Sequence, residues 1–227
     1  MMKTSTYTSQ IRPAIILLSL IFSFLIPGCK DPVKKVEDTK APTSSLKLHT
    51  GDHKYYMADA KLSVLQWKGA SLNGLNTQTG YIYLSKGELK VESGRLTGGV
   101  LEIDMNTIED KYHGANSKLV NHLKDPDFFE VKKFPFAKIY ITSVTPAKIG
   151  LKTINGDLTI KGISHPVSIP AQVEIADSAI TANAKFTIDR TLWNVRYKSA
   201  KFYELLANQT MSDSISFQIK VVAKKQR

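Results

Sequence analysis

The clearest signal in this chain is a period-two alternation of apolar and polar residues through its second half. In Phe136–Val144, Ile139 and Ile141 oppose Lys138, Tyr140 and Thr142. In Thr153–Lys161, Ile154, Leu158 and Ile160 share one parity around Asn155-Gly156, and in Val167–Ile175 the shared set is Val167, Ile169, Val173 and Ile175, with Pro170 expected at a bulge or an edge. Ala182, Ala184, Phe186 and Ile188 form the next set, and Ile215, Phe217, Ile219 and Val221 the last, against Ser216, Gln218 and Lys220. Strict alternation means strands with one face packed or lumenal and the other wet.

The first half predicts strands with more interruptions. Lys61–Lys68 and Gly80–Leu84 are rich in β-formers, and Lys86-Gly87 reads as a turn before a second arm at Glu88–Val91. Ser93-Gly94 reads as another break, and Leu96–Ile103 continues with Gly98-Gly99 marking a bulge, a bend or a close backbone approach. Two short helices are expected. Ala115–Lys124 spaces Leu119, Val120 and Leu123 helically before Pro126, and Ala200–Ala207 places Phe202, Leu205 and Leu206 on one stripe. About eight strands with turn signals at short intervals predict an all-β sandwich or barrel. Eight antiparallel strands can close into a barrel whose interior is filled by side chains or holds one ligand.

The amino terminus sets the expected compartment. Lys3 and Arg12 precede a 13-residue apolar run, Ala14–Ile26, which is shorter than a membrane-spanning helix requires. Ile26-Pro27-Gly28-Cys29 resembles a bacterial lipobox, in which cleavage before the cysteine is followed by its lipidation. The expected organisation is therefore a leader over residues 1–28, a lipidated Cys29, a polar tether over 29–45 and one domain over 46–227. The expected location is the periplasm or outer cell envelope, membrane-anchored through Cys29. Cys29 is the single cysteine, so the fold has no internal disulfide and no thiol chemistry beyond the anchor.

Charge and motifs narrow the function. The net charge of +11, less Lys3 and Arg12 of the leader, leaves +9, which favours anionic surfaces. The lysines are dispersed and the chain reads as exported, so nucleic acid is not the expected partner. No G-x-S-x-G, H-E-x-x-H or phosphate-loop motif occurs, and His49, His53, His113, His122 and His165 are scattered. Asp104, Glu109 and Asp110 are the acidic cluster that acid–base chemistry would use, but nothing in the sequence places a nucleophile beside them. No catalytic residue, metal or cofactor is assigned.

Asn121-His122-Leu123-Lys124-Asp125-Pro126-Asp127-Phe128-Phe129-Glu130-Val131-Lys132-Lys133-Phe134-Pro135 is similar to the HLKSxDFFDVxKYP-type segment of the YceI-like family. Gly156-Asp157-Leu158-Thr159-Ile160-Lys161-Gly162-Ile163-Ser164-His165-Pro166-Val167 resembles that family's GDLTIxGVTKPV segment. The likeness extends to Trp67-Lys68-Gly69, Asp104-Met105, Phe186, Ile188-Asp189-Arg190 and Trp193–Tyr197, so it covers about residues 55 to 224. It implies an extended, lipocalin-like antiparallel barrel with a capping helix, a hydrophobic lumen for polyisoprenoids or related lipids, and frequent dimerisation. Where many relatives carry a histidine before the Thr-Gly of the second strand, this chain has Leu75-Asn76-Thr77-Gln78-Thr79-Gly80, so the resemblance does not carry over a head-group preference.

These observations give an expected carrier of a polyisoprenoid, isoprenoid quinone or fatty-acyl lipid. The expected lumen residues are Trp67, Tyr83, Phe129, Ile139, Ile141, Leu158, Phe186, Trp193 and Phe217, with Arg190, Arg196 and Lys201 meeting a head group at the mouth. The rival readings are a filled barrel acting as an envelope interaction or stress protein, and an enzyme acting on a bound lipid.

Overall fold

A computed structural model describes residues 42–51, 54–148 and 150–225. The leader, Cys29, His53 and the tether up to residue 41 lie outside the described residues. The described residues belong to one compact unit.

The alternating segments form nine strands: β1 Tyr55–Ala58, β2 Val64–Gly69, β3 Gln78–Glu92, β4 Arg95–Asp110, β5 Phe136–Pro146, β6 Lys152–Ile160, β7 Ile163–Ile175, β8 Ala179–Asp189 and β9 Ser214–Lys225. All ladders are antiparallel, and each strand from β3 to β9 pairs with its sequence neighbour. β1 and β2 both lie between β3 and β9, so they are two pieces of one strand position, and the sheet closes there into a barrel of eight positions. Closure removes most free edge, leaving the first part of β7, before Ala171, without a β8 partner.

The Lys86-Gly87 pair is not a turn. β3 runs unbroken for 15 residues, and β4 beside it for 16. Their ladder shifts register at Tyr81/Tyr83, Leu84/Lys86 and Lys90/Val91. Gly87 and Gly99 answer to close approach. A Cβ at Gly87 would stand 2.6 Å from Leu101 Cδ2, and one at Gly99, where φ is +150°, would stand 2.4 Å from the Glu88 carbonyl oxygen. Pro170 sits where the β7 ladder to β8 ends, because that pairing begins only at Ala171 opposite Ala184. Proline lacks the N–H that this ladder would need, so it marks the edge.

Among the described residues one α-helix forms, α1 Lys118–Lys124, and Ser117 Oγ accepts from Val120 N–H at its start (3.1 Å). Val120 and Leu123 are buried. The second expected helix does not form. Residues 200–209 are turns and coil and are exposed throughout. Phe202, Leu205 and Leu206 find no core to pack on, and eight residues are too few for a stable isolated helix in water.

The last residues of the expected tether are not all free of the barrel. Ser44 Oγ donates to Glu102 Oε2 (2.8 Å), Lys86 Nζ donates to the Leu46 carbonyl (2.7 Å), and His49 N–H donates to Glu88 Oε2 (2.7 Å). Residues 44–49 thereby cover two carboxylates on the outer wall, Glu88 and Glu102, which are 4% and 0% exposed. Glu102 also takes Ser85 Oγ (3.0 Å) and faces Lys138 Nζ (3.4 Å), so this buried charge is fully partnered.

Candidate functional site: an apolar lumen with one polar end

The barrel encloses a cavity of about 200 Å³. One water needs on the order of 10–15 Å³ on the same measure, so this is space for a ligand rather than a packing defect. Strand parity puts Ala182, Ala184, Phe186 and Ile188 of β8 and Ile215, Phe217, Ile219 and Val221 of β9 on its wall. Phe186 and Phe217 are cross-strand partners whose rings stack at 5.3 Å. α1 contributes Leu119 and Leu123, and the turn after it Phe128 and Phe129. That turn is held by Phe129 N–H to the Leu123 carbonyl (3.1 Å) and Glu130 N–H to the Asp125 carbonyl (3.0 Å).

The lining extends along β3 from Gln78 to Leu89. Eleven steps at about 3.3 Å each make this roughly 35 Å of strand. Its polar side chains, Asn76, Gln78, Arg190 and Ser212, all come from one end, where β2 and β8 stop and β3 and β9 start. The result is a long bore with an almost wholly apolar wall, its few polar residues gathered at one terminus, a shape suited to a chain molecule.

Of the expected lumen residues, Trp67, Phe129, Ile139, Ile141, Leu158, Phe186 and Phe217 line the cavity. Tyr83 does not. Its neighbours Ile82 and Leu84 point inward, so period-two geometry sends Tyr83 out, where its hydroxyl donates to Glu109 Oε1 (2.5 Å). That bond, with burial, pushes the Tyr83 phenol up to about 12. Trp193 does not line the bore either. It ends the 3₁₀ helix Arg190–Trp193, donates Nε1–H to the Leu158 carbonyl (3.0 Å) and meets His165 edge-on at 5.2 Å. It bridges the end of β8 to β6 and β7, over the stretch where β7 lacks β8 pairing.

The three expected head-group cations have other partners. Arg190 is 1% exposed; Nε donates to the Ser212 carbonyl (3.0 Å) and Nη1 to the Val195 carbonyl (2.7 Å), while Nη2 reaches the Met211 carbonyl and Asp213 Oδ1 (both 3.4 Å). It reaches the end of the lumen with its donors already committed, as a fastener of the 194–213 loop. Lys201 bonds Asp189 and also reaches Asp213 (3.7 Å), and Arg196 stacks over the Phe202 ring at 4.6 Å. Burial raises the Asp189 carboxyl, but hydrogen bonds from Lys201 and Thr191 more than offset it, leaving its pKa below the ordinary carboxylate value.

Much of the β3–β4 wall goes unseen in sequence. Leu96, then Leu101, Ile103 and Met105, then Ile108 face inward, so the inward parity of β4 changes twice. A bulge inserts one residue and flips every side chain beyond it. The signal available was the pair Gly98-Gly99; nothing comparable marks the second change.

A closed antiparallel barrel around an apolar, one-ended lumen defines the lipocalin-like class of binding folds. The chain belongs within it to a particular family: residues 56–223 match the YceI-like domain. It is 35% identical over 86 residues to a UPF0312 protein of Shewanella denitrificans, covering 37% of this chain and 44% of that one. It is 28% identical over 109 residues to a UPF0312 protein of Shewanella baltica, covering 45% and 56%. The matches thus span about half the length of these relatives. Among solved structures, BcnA of Burkholderia cenocepacia superposes with a TM-score of 0.60 at 19% identity, covering 74% of this chain and 99% of that one. A domain from Saccharophagus degradans, described as polyisoprenoid-binding and implicated in plant cell wall breakdown, superposes at 0.59 with 13% identity, covering 77% and 100%. At these identities the superpositions establish the fold.

Proposed function

We propose that this protein is an exported, membrane-tethered carrier that holds a long-chain apolar lipid, a polyisoprenoid, isoprenoid quinone or fatty-acyl chain, inside the barrel. The observation that carries the proposal is the lumen itself, apolar along its length and polar only at one end. Each methylene moved from water into such a lining gains about 0.8 kcal/mol, so ten give about 8 kcal/mol, near micromolar binding before ordering costs. A chain ligand therefore needs no charged motif. The polyisoprenoid-binding description of the Saccharophagus domain supports the ligand class. The lipobox-like Ile26–Cys29 and its leader support export and anchoring. The wall presents almost no polar surface to a reacting group, and we read the protein as a binder rather than an enzyme.

The test is mass spectrometry of organic extracts from the chain purified gently from its host. A stoichiometric isoprenoid or acyl species is expected. An empty extract, with no uptake of added long-chain lipid, overturns the carrier reading in favour of an envelope interaction protein.

A further inference from the structure

Twelve large apolar side chains are exposed among the described residues, and eight of them fall in the segments 72–75, 112, 192 and 202–206. All these segments sit at the polar end of the lumen. Leu75 is 81% exposed and Leu206 70%. Single exposed leucines are ordinary, but a group of this size at one end is not.

The two main segments are fastened side by side. Leu72 N–H donates to the Thr210 carbonyl (2.8 Å) and Ser212 N–H to the Ala70 carbonyl (2.9 Å). The same loops supply Asn76, Met211 and Ser212 to the lumen wall, so the apolar group is continuous with the lumen's end. Three aromatic rings here each carry a cation: Arg196 over Phe202 at 4.6 Å, Lys111 over Tyr112 at 5.4 Å and Lys198 over Tyr197 at 5.5 Å. The acidic groups beside these cations are Glu204, Asp110, which takes His113, and Asp189 and Asp213, which take Lys201 and Arg190. Amphipathic aromatics beside lysine and arginine are the side chains that settle at the head-group level of a bilayer.

Residues 200–207 add a second argument. Phe202, Leu205 and Leu206 have helical spacing, yet the segment is coil and exposed. A stripe that meets no apolar protein surface finds one at the acyl boundary of a bilayer.

We propose that the lumen's polar end docks on the surface of an anionic phospholipid bilayer. Segments 72–75 and 202–206 enter the head-group boundary, residues 200–207 coil into a helix there, and Arg196, Lys198 and Lys111 face the anionic head groups. This rests on the carrier reading for its purpose, since a bilayer-facing end lets a lipid pass between membrane and lumen, but its geometry stands without it.

The test is hydrogen–deuterium exchange of the full chain with and without vesicles of phosphatidylglycerol and phosphatidylcholine. Amides of 70–77 and 198–209 are expected to gain protection on the mixed vesicles, less on pure phosphatidylcholine, and less at high salt. The local readout separates docking from any anchor elsewhere in the chain. Leu75→Glu with Leu206→Glu, both exposed positions where folding should survive, should lower occupancy of the docked state by about tenfold or more for each leucine lost. Absent protection overturns the proposal. So does protection that appears without vesicles and grows with protein concentration, because a second copy then covers the face. Lipid content of the wild-type chain is measured alongside: a loaded lumen without vesicle protection counts against docking alone, whereas an empty lumen counts against the carrier reading.

Discussion

The indole of Trp67 lies over Gly80. The two residues are direct cross-strand partners of β2 and β3, and a Cβ on Gly80 would fall 2.4 Å from Trp67 Cζ2 and 1.9 Å from the Glu109 carbonyl oxygen. No side-chain rotation relieves the second contact, because it is with backbone. Gly80→Ala should therefore destabilise the barrel by about 3 kcal/mol, at the upper end of overpacking. A urea titration followed by tryptophan fluorescence measures it. A midpoint within error of wild type would show that β3 and β4 part easily here, contrary to the close approach.

Arg190 gives a second prediction. Replacing it by alanine withdraws its hydrogen bonds from the Val195, Ser212 and Met211 carbonyls and leaves Asp213 with one fewer cation. A loss of about 3–5 kcal/mol is expected, as for breaking a buried pair. Arg190→Lys should recover only part of it, since one ammonium cannot span three separated carbonyls. Full recovery by lysine would mean that charge rather than the planar fork holds the 194–213 loop.

These positions show how far sequence carries. The alternation in β8 and β9 is regular, and each lumen residue read from it lies on the bore. In β3 and β4 the bulges move the inward face from Ile82 and Leu84 to Leu89, and from Leu96 to Leu101. Gly98-Gly99 marks the change in β4, but the one in β3 carries no distinctive side chain, and a glycine placed for close approach, Gly87, looks the same as one placed for a turn. Sequence places Arg190 at the mouth as a head-group cation. Only tertiary structure shows that the carbonyls it satisfies come from residues up to 22 positions away. The failed helix at 200–207 is the same lesson in reverse: its periodicity is real, and the barrel offers no surface to receive it.

The Tyr83–Glu109 contact should be visible in an alkaline titration. The phenol is raised from 10.0 to about 12 by its hydrogen bond to Glu109 and by burial. A raised acid contributes stability that is fully present below its unfolded value and is lost as pH climbs through the folded one. One tyrosine should therefore ionise well after the ordinary group in ultraviolet difference spectra, near the alkaline unfolding step. Glu109→Gln should bring that transition back toward 10.0. A wild-type titration with no late tyrosine would refute the contact.

Asp189 and Lys201 define a broader window. Asp189 is held below its ordinary 3.8, so its contribution is present above that value and fades as pH falls through the folded pKa. Lys201 is raised from 10.5, chiefly by its hydrogen bond to Asp189, so its contribution is present below 10.5 and fades as pH rises further. The stability difference between wild type and Asp189→Asn should be constant at neutral pH and shrink on acidification past about pH 4. Urea midpoints across pH read this directly. A difference undiminished at pH 3 would mean that neither Lys201 nor the Thr191 donors hold the folded Asp189 carboxyl below its ordinary value.

The lumen itself can be closed from within. Ala184 on β8 and Phe186 two residues on face the bore, and the 200 Å³ cavity leaves room for a larger side chain. Ala184→Phe should fold with a stability change under about 1.5 kcal/mol, because the added ring enters space rather than packed atoms. Its extract should contain markedly less lipid than wild type. Phe217→Ala acts oppositely: it removes the ring stacked on Phe186 at 5.3 Å, costs about 3 kcal/mol and widens the bore without blocking it. Retained lipid in Phe217→Ala beside lost lipid in Ala184→Phe would tie binding to free lumen volume and not to barrel stability, since the less stable variant would be the one still loaded. Equal lipid in both folded variants would place the ligand elsewhere on the protein, and the cavity would then have to be explained without it.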